Sequence, residues 1–498
     1  MAEASVYELA VIGAGPAGLS AAVVAAERGL TVALVDAGAQ TGGQYWRHPD
    51  EQHLDAFTHP ESTGHHHWAH YRELRARLRH AVGGGRLVHL SGRQVWRIDR
   101  DDTVLVLRTT STTDTDETDA SNAARSTGRG ERDVRAERVV LATGAYDRQL
   151  PLPGWTIPGV MAAGGVQALL KANQVAAGRR AVVAGTGPFL LSVAAGLADA
   201  GVDVVAVCDA SALSRWAATP LRAIQEPGKL LEGVGYATTF LKHRIPLRTR
   251  TVVAAVAGGG RVSRVTLARV DARGRIRPDT ARVVEADLVA LGWGFTPQLE
   301  LAISLGAETR VDVDSSLVAV ADADQRSSVP GVYLAGEVTG IGGAVQSCAE
   351  GELAALSAAT DAGRADDPRR RARLRRRISR GRRFAVGMHR ASPVPADWPT
   401  WLAGDTTVCR CEEVDADAVR ATVHALAADD PRDVRVTARP GMGLCQGRVC
   451  GFALSCLVSA ETGRPAEPAD LEPLAKRPLA TPLTVADLAA LADGKDRR

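Results

Sequence analysis

Four cysteines mark the first place in this sequence where chemistry can be sought. Cys409 and Cys411 stand one residue apart in VCRCEEV, and Cys445 and Cys450 follow in GMGLCQGRVCG. Thiols that close cannot form an ordinary disulfide staple. Four of the chain's seven cysteines fall between residues 409 and 450, whereas Cys208, Cys348 and Cys456 stand alone in apolar surroundings. This clustering points to thiolates gathered as ligands, not to a disulfide framework. The pattern is C-x-C, a gap spanning residues 412 to 444, then C-x4-C. A four-cysteine structural zinc site competes with an iron-sulfur centre, although zinc modules usually present C-x2-4-C pairs at both ends. Gly441, Gly443, Gly447 and Gly451 would let backbone N–H groups approach the sulfurs, and Arg410 and Arg448 supply offsetting charge.

The second candidate site is a glycine turn near the start of the chain. YELAVIGAGPAGLSAAVVAAERGLTVALVDAG reads as a buried strand to Ile12, a helix from about Pro16 to Arg28 stopped by Gly29, and a second strand ending at Asp36. In such a βαβ unit Gly13 permits the tight turn, Gly15 lets backbone approach a pyrophosphate, and Gly18 lets the helix pack on the sheet. Pro16 and Ala17 open the helix, whose N-terminus is an anion site, and Asp36 stands where a ribose hydroxyl would be bound. A second copy, RAVVAGTGPFLLSVAAGLADAGVDVVAVCDAS, carries Gly185, Gly187 and a terminal acid at Asp209, with Leu190 in the third glycine position. That leucine would hold helix and strand further apart, so the copy reads either as a structural domain or as a nucleotide site, with Asp209 favouring the unphosphorylated ribose of NAD.

Further strands run into glycine turns at Gly144 and Gly292, and GVYLAGEVTGIGGAVQSCAEGELAALSAA places Gly336 and Glu337 between a strand and a helix. With these motifs the sequence resembles the two-dinucleotide-binding flavoproteins, the class of glutathione and thioredoxin reductases. The resemblance implies FAD on the first Rossmann domain, a nicotinamide nucleotide on an inserted one, and contact with the flavin's ribityl chain near Gly336, where Glu337 replaces the usual aspartate. No CxxC lies near the flavin regions, so a redox-active disulfide is not expected. The cysteine segment resembles the small iron-sulfur domain of bacterioferritin-associated ferredoxin, which implies a 2Fe-2S cluster on Cys409, Cys411, Cys445 and Cys450.

GGQYWR (residues 42 to 47), LPGWTIPGV, GTGPFLL and the cysteine tail together resemble the larger FAD-binding subunit of heteromeric opine oxidases, hydrogen cyanide synthase and D-hydroxyproline dehydrogenase, from about residue 7 to 460. Gly43, Gln44 and Gly144 join the expected cofactor contacts. The resemblance implies an α/β two-dinucleotide-binding flavoprotein. A Rossmann-like FAD domain (residues 1–150 and 285–365) would be interrupted by an inserted NAD(P)-type Rossmann-like domain (151–284). An arginine-rich linker (366–404), a small helical 2Fe-2S domain (405–460) and a C-terminal tail (461–498) would follow. It further implies a D-amino-acid-oxidase-like partner subunit that oxidises the C–N bond of an amine or imino-acid substrate, with this chain carrying electrons. No side chain stands out as a catalytic acid, base or nucleophile. The alternatives are a self-sufficient NAD(P)H-dependent reductase passing electrons through its cluster, and a nucleotide-binding scaffold without activity.

Composition sets the outer limits. A chain of 498 residues with 45% hydrophobic content supports two or three packed domains. Net charge of +3, from 60 Lys and Arg against 57 Asp and Glu, gives no global field for nucleic acid. The N-terminus has no basic segment ahead of an apolar run, so the expectation is a cytoplasmic protein with reduced thiols. The apolar span Ala181 to Val207 contains glycines and aspartates in strand-turn-helix rhythm and is not read as membrane-spanning. Residues 109–132 are polar and low in complexity, and the expectation is a disordered hairpin extension. Ten arginines between 369 and 383 read as a solvated linking helix or as a docking face for an acidic partner. Eight of the twelve histidines lie between His48 and His80 without ligand spacing, and read as a loop near the flavin or at the surface.

Overall fold

The computed structural model describes residues 6–51, 65–112, 133–212, 214–217, 227–485 and 488–489. Most of the low-complexity stretch and two of the clustered histidines, His53 and His59, lie outside those residues.

Short runs such as LAVI, VALV and VVL have no polar face, so they suit strands covered on both sides. They form a parallel sheet in the order Val332–Leu334, Val139–Leu141, Leu9–Ile12, Val32–Val35, Leu87–Leu90. One face is covered by the helices Pro16–Glu27 and Ala344–Asp361, whose small residues let them meet almost backbone to backbone. A Cβ added to Gly351 would lie 1.9 Å from the Ala17 carbonyl oxygen. The other face is covered by the antiparallel sheet Arg93–Asp101, Val104–Ser111, Asp133–Ala136 and the helix Glu300–Ser304.

A second parallel sheet has the order Leu247–Thr249, Asp203–Asp209, Arg180–Gly185, Leu288–Gly292, Val160–Ala162. The strand Leu288–Gly292 falls beyond residue 284, where the sequence reading ended the inserted domain. It pairs with Arg180–Gly185, so that unit runs to Gly292. A buried LVALG run looks the same whichever parallel sheet receives it, and only the pairing decides.

The arginine-rich segment is the helix Pro368–Ala391, capped by the Asp367 side chain, which accepts from Arg370 N at 3.1 Å. It is more than a linker. Leu374, Ile378 and Ala385 turn inward, and four of its arginines are paired: Arg370 with Glu352, Arg371 and Arg375 with Asp324, Arg382 with Glu350. Arg369, Arg373, Arg376, Arg377, Arg380 and Arg383 face solvent on the opposite side.

The cysteine-bearing region comprises a small β-pair, Thr407–Cys409 with Val414–Asp415, and the helices Ala416–Leu426, Pro431–Ala438, Gly451–Thr462 and Pro468–Ala475. The last helix belongs to the packed unit, although the sequence reading placed it in a tail. This unit shares one apolar core with the second sheet. Trp155 Nε1 donates to Thr407 O at 2.7 Å, Arg410 lies over the Trp155 ring at 5.3 Å, and the Arg148 guanidinium lies 4.0 Å from the Phe452 ring centroid. No helix among the described residues is long and apolar enough to cross a membrane.

Arg148 is the anchor of that junction. Its side chain is 2% exposed and pairs with Asp314 at 2.8 Å. Burial raises the Asp314 carboxyl, but the Arg148 charge and then His389 outweigh it and hold it below its ordinary value. Arg148→Ala would leave that carboxylate unpaired, so it should lower stability to urea by about 3–5 kcal/mol. Arg148→Met combined with Asp314→Leu should recover much of the loss, which a set of urea titrations will show.

Candidate functional site

The first glycine turn is built by contacts that exclude side chains. Gly13 has φ +100°, and a Cβ there would stand 2.4 Å from the Ala142 carbonyl oxygen; on Gly18 it would stand 1.7 Å from the Gly13 oxygen. Gly15 differs, for the nearest atom to its missing Cβ is Gly43 Cα at 3.9 Å, so the turn keeps an open side. Gly43, at φ +57°, closes against it, with room of only 2.8 Å to Gly15 Cα. Gly15 also caps the helix Pro16–Glu27 without any side-chain hydrogen bond, leaving the helix's positive end for an anion. Both Asp36 oxygens accept backbone N–H groups, one from Ala14 and one from Gly38 at 2.5 Å, while burial pushes the carboxyl up. Gln44 is exposed and accepts from Arg47 Nε at 3.0 Å.

Gly144 and Gly336 border the same turn from two other strands. Gly144 has φ +76° and open space at its missing Cβ, and Gly336 at φ +82° leaves only 3.0 Å to the Ala17 Cβ. Glu337 accepts from Gly342 N at 3.1 Å and Gly343 N at 3.0 Å, and so shapes the loop before the helix Ala344–Asp361. Burial pushes its carboxyl up to about 7 against the pull of Arg382 and the two N–H groups. Behind it Glu350, almost wholly buried, accepts from Gly336 N at 2.9 Å and pairs with Arg382 at 2.9 Å.

The second glycine turn is flanked by a later segment of the chain. A Cβ on Gly185 would stand 1.8 Å from the Gly292 oxygen, as a tight turn requires, but Leu190 packs into the helix–strand contact with its Cδ2 3.0 Å from where a Gly292 Cβ would be. The chain after the arginine-rich helix sits on the turn itself. Ser392 Cβ lies 3.8 Å from the missing Cβ of Gly187, and Thr186 Oγ1 donates to Pro393 O at 3.4 Å. Asp209 accepts from Ser211 N at 2.8 Å, and burial raises it to about 6.

The four cysteines are gathered so that their thiols act on one another, Cys409 beside Cys450 and Cys411 beside Cys445. The Cys450 thiol's hydrogen bond lowers Cys409 to about 5, and Gly441 N donates to Cys409 Sγ at 3.3 Å. Of the flanking glycines, Gly441 has the Cys450 Sγ 3.6 Å from its missing Cβ, and a Cβ on Gly443 would stand 2.3 Å from that of Cys411. Among the described residues no three thiol, imidazole or carboxylate groups converge as a single-ion site requires. Arg410 is stacked on Trp155 and Arg448 turns to Glu300 at 3.0 Å, so both lie beside the cysteine loops.

Sequence reasoning missed an aromatic bed under the GGQYWR loop. Trp46 stacks on Tyr71 at 5.2 Å, and His48 Nδ1 bonds Trp46 O at 2.7 Å, so the histidine-rich region serves partly as packing. It also missed Lys171, whose Nζ donates to Tyr45 O at 3.1 Å and which burial lowers to about 8. Aromatic and basic residues scattered from Tyr45 to Lys171 carry no shared spacing.

Residues 7–363 match the model of the pyridine nucleotide-disulphide oxidoreductase family. The chain is 31% identical to hydrogen cyanide synthase subunit HcnB of Pseudomonas aeruginosa over 460 residues, covering 91% of this chain and 93% of that one. It is 32% identical to a subunit of the opine oxidase of Agrobacterium tumefaciens over 494 residues, covering 97% and 92%. Among solved structures, L-proline dehydrogenase from P. horikoshii shares the fold with a TM-score of 0.68 at 19% identity, over 98% of this chain and 80% of that one.

Two outcomes follow from the glycine geometry and from Glu337. Gly15→Val should give a folded, colourless protein, because its Cβ would meet only Gly43 Cα, at an ordinary 3.9 Å, whereas Gly18→Val should fail to fold; circular dichroism and the flavin spectrum of each purified variant separate the two cases. In flavin-free protein, Glu337 ionises near pH 4.5 when unfolded and near 7 when folded, so the native state is penalised increasingly across that interval. The melting-temperature advantage of Glu337→Gln over wild type should therefore grow from pH 4.5 to 7 and level off above.

Proposed function

Because the chain belongs to the pyridine nucleotide-disulphide oxidoreductase family and is an FAD-dependent oxidoreductase, we propose that it is the electron-transfer subunit of a heteromeric enzyme acting on the C–N bond of an amino acid, imino acid or opine. FAD would be held by Gly13, Gly15, Gly18, Asp36, Gly43, Gly144, Gly336 and Glu337, and a 2Fe-2S cluster by Cys409, Cys411, Cys445 and Cys450. A bound flavin takes electrons in pairs and an iron-sulfur cluster passes them singly.

The observation that carries this reading is the gathering of the four thiols in one small unit. Gly441 meets the sulfurs of both Cys409 and Cys450, Cys411 lies beside Cys445, and the C-x-C and C-x4-C spacing departs from the C-x2-4-C pairs usual in zinc modules. Gly441 N already donates to one of the sulfurs, the kind of contact that steadies a thiolate centre.

The relatives that match nearly end to end are named as subunits, which supports giving substrate oxidation to a D-amino-acid-oxidase-type partner. The first glycine turn presents mainly backbone and glycine, and no acid–base pair is assigned to it. A self-sufficient NAD(P)H-dependent reductase is the less favoured reading, because Leu190 replaces the third glycine in the helix–strand contact, and Ser392 and Pro393 lie beside the second glycine turn where a dinucleotide's pyrophosphate would approach.

Protein purified without oxygen should contain about two irons and two acid-labile sulfides per chain, and Cys450→Ala should lose both while keeping FAD. Stoichiometric zinc in protein made with ample iron would contradict the cluster. The chain alone should not reduce a dye with D-amino acids, glycine, cyclic imino acids or opines, and co-expression with an oxidase-type partner should confer that activity. Equal turnover by the isolated, fully loaded chain would contradict its role as one part of a larger enzyme.

A further inference from the structure

Glu300 begins the short helix Glu300–Ser304, and it is 4% exposed at the junction with the cysteine-bearing unit. Two arginines from much later in the chain close on its Oε1, Arg448 Nε at 3.0 Å and Arg477 Nη1 at 2.6 Å. The same guanidiniums grip the cysteine loop by its backbone. Arg448 Nη1 donates to Cys445 O at 3.1 Å, and Arg477 Nε donates to Gln446 O at 2.7 Å. Arg477 Nη2 also lies 3.9 Å from the missing Cβ of Gly447.

The other end of this connection reaches the flavin-side turn. Gln298, two residues before Glu300, donates its N–H to Gly144 O at 2.9 Å and accepts from Thr143 Oγ1 at 2.8 Å. Tyr146, on the strand Ala145–Asp147, lies within the electrostatic reach of Glu300, Arg477 and Arg448. Segment 298–300 therefore ties the glycine turn at residue 144 to the loop that carries Cys445 and Cys450.

The charges do not balance. Two guanidiniums share one carboxylate, leaving one positive charge in excess where little water reaches, a costly arrangement unless negative charge is near. The loop the arginines hold carries two of the four cysteines.

We propose that Glu300, Arg448 and Arg477 form a positioning triad that sets the reduction potential of the cysteine-held centre and fixes its loop against the flavin-side turn. The proposal rests on the cluster reading above. An added electron makes such a centre more negative, so the excess positive charge favours its reduction and Glu300 moderates that effect.

The signs give the test. In the full FAD-loaded chain, titrated anaerobically and followed by electron paramagnetic resonance of the reduced iron-sulfur centre, Arg477→Gln should lower the midpoint potential and Glu300→Gln should raise it. Each should shift the one-electron equilibrium about tenfold, ~59 mV. Arg477→Lys, which keeps the charge, should stay close to wild type. Shifts of the same sign in both neutral variants, or potentials unmoved in both, would overturn the proposal. If those two neutral variants fail to hold iron, Arg448→Gln decides: a lowered potential supports the triad, and an unmoved or raised one overturns it. Iron and sulfide content of the wild type is measured first; their absence sinks the cluster reading and the triad's role with it, whereas their presence confines any failure to the triad.

Discussion

Backbone packed directly on backbone at the first glycine turn is the constraint on which the rest of this structure depends. Gly13 lies against the Ala142 carbonyl, Gly18 against that of Gly13, and Gly351 against that of Ala17. No side chain fits at any of the three contacts. They bring together a turn near residue 15, a strand end near 142 and a helix near 350, and the open side they leave is the one beyond Gly15. The uncapped helix end then faces that opening, which is what a pyrophosphate needs.

The second parallel unit repeats the plan with one substitution in its helix–strand contact. Gly185 keeps the tight turn, but Leu190 fills the position where a glycine would let helix and strand close. The arginine-rich helix then delivers Ser392 and Pro393 onto the turn, and the same stretch of chain leads on to Trp398 and Trp401 in the core shared with the cysteine-bearing unit. A domain built like a nucleotide carrier thus supports the cysteine-bearing unit, through Trp155 and the ring of Trp293 against Trp401 at 5.6 Å.

Much of this was legible in the sequence because glycine spacing and strand-helix rhythm are local signals. The helix Pro16–Glu27 and the strand Val32–Val35 end within a residue of where those signals put them, at Arg28 and Asp36, and Gly336 and Glu337 stand between a strand and a helix as read. What was not legible depends on partners distant in the chain. Leu288–Gly292 reads as a buried strand in either sheet, and only its pairing with Arg180–Gly185 assigns it. The arginine run reads as uniformly basic, yet Asp324, Glu350 and Glu352 pair with four of its members, and nothing in the run itself announces which. Arg477 and Glu300 are 177 positions apart, and each looks like an ordinary surface charge until the fold buries them together.

We propose that electrons enter this chain from a partner's substrate and not from a nicotinamide nucleotide on its second glycine turn. Rapid anaerobic mixing of the FAD-loaded chain with NADH, followed at the flavin absorbance band, tests that most directly. The account predicts that the band persists under NADH, although dithionite bleaches it fully in the same preparation. Fast, complete bleaching by NADH would contradict it.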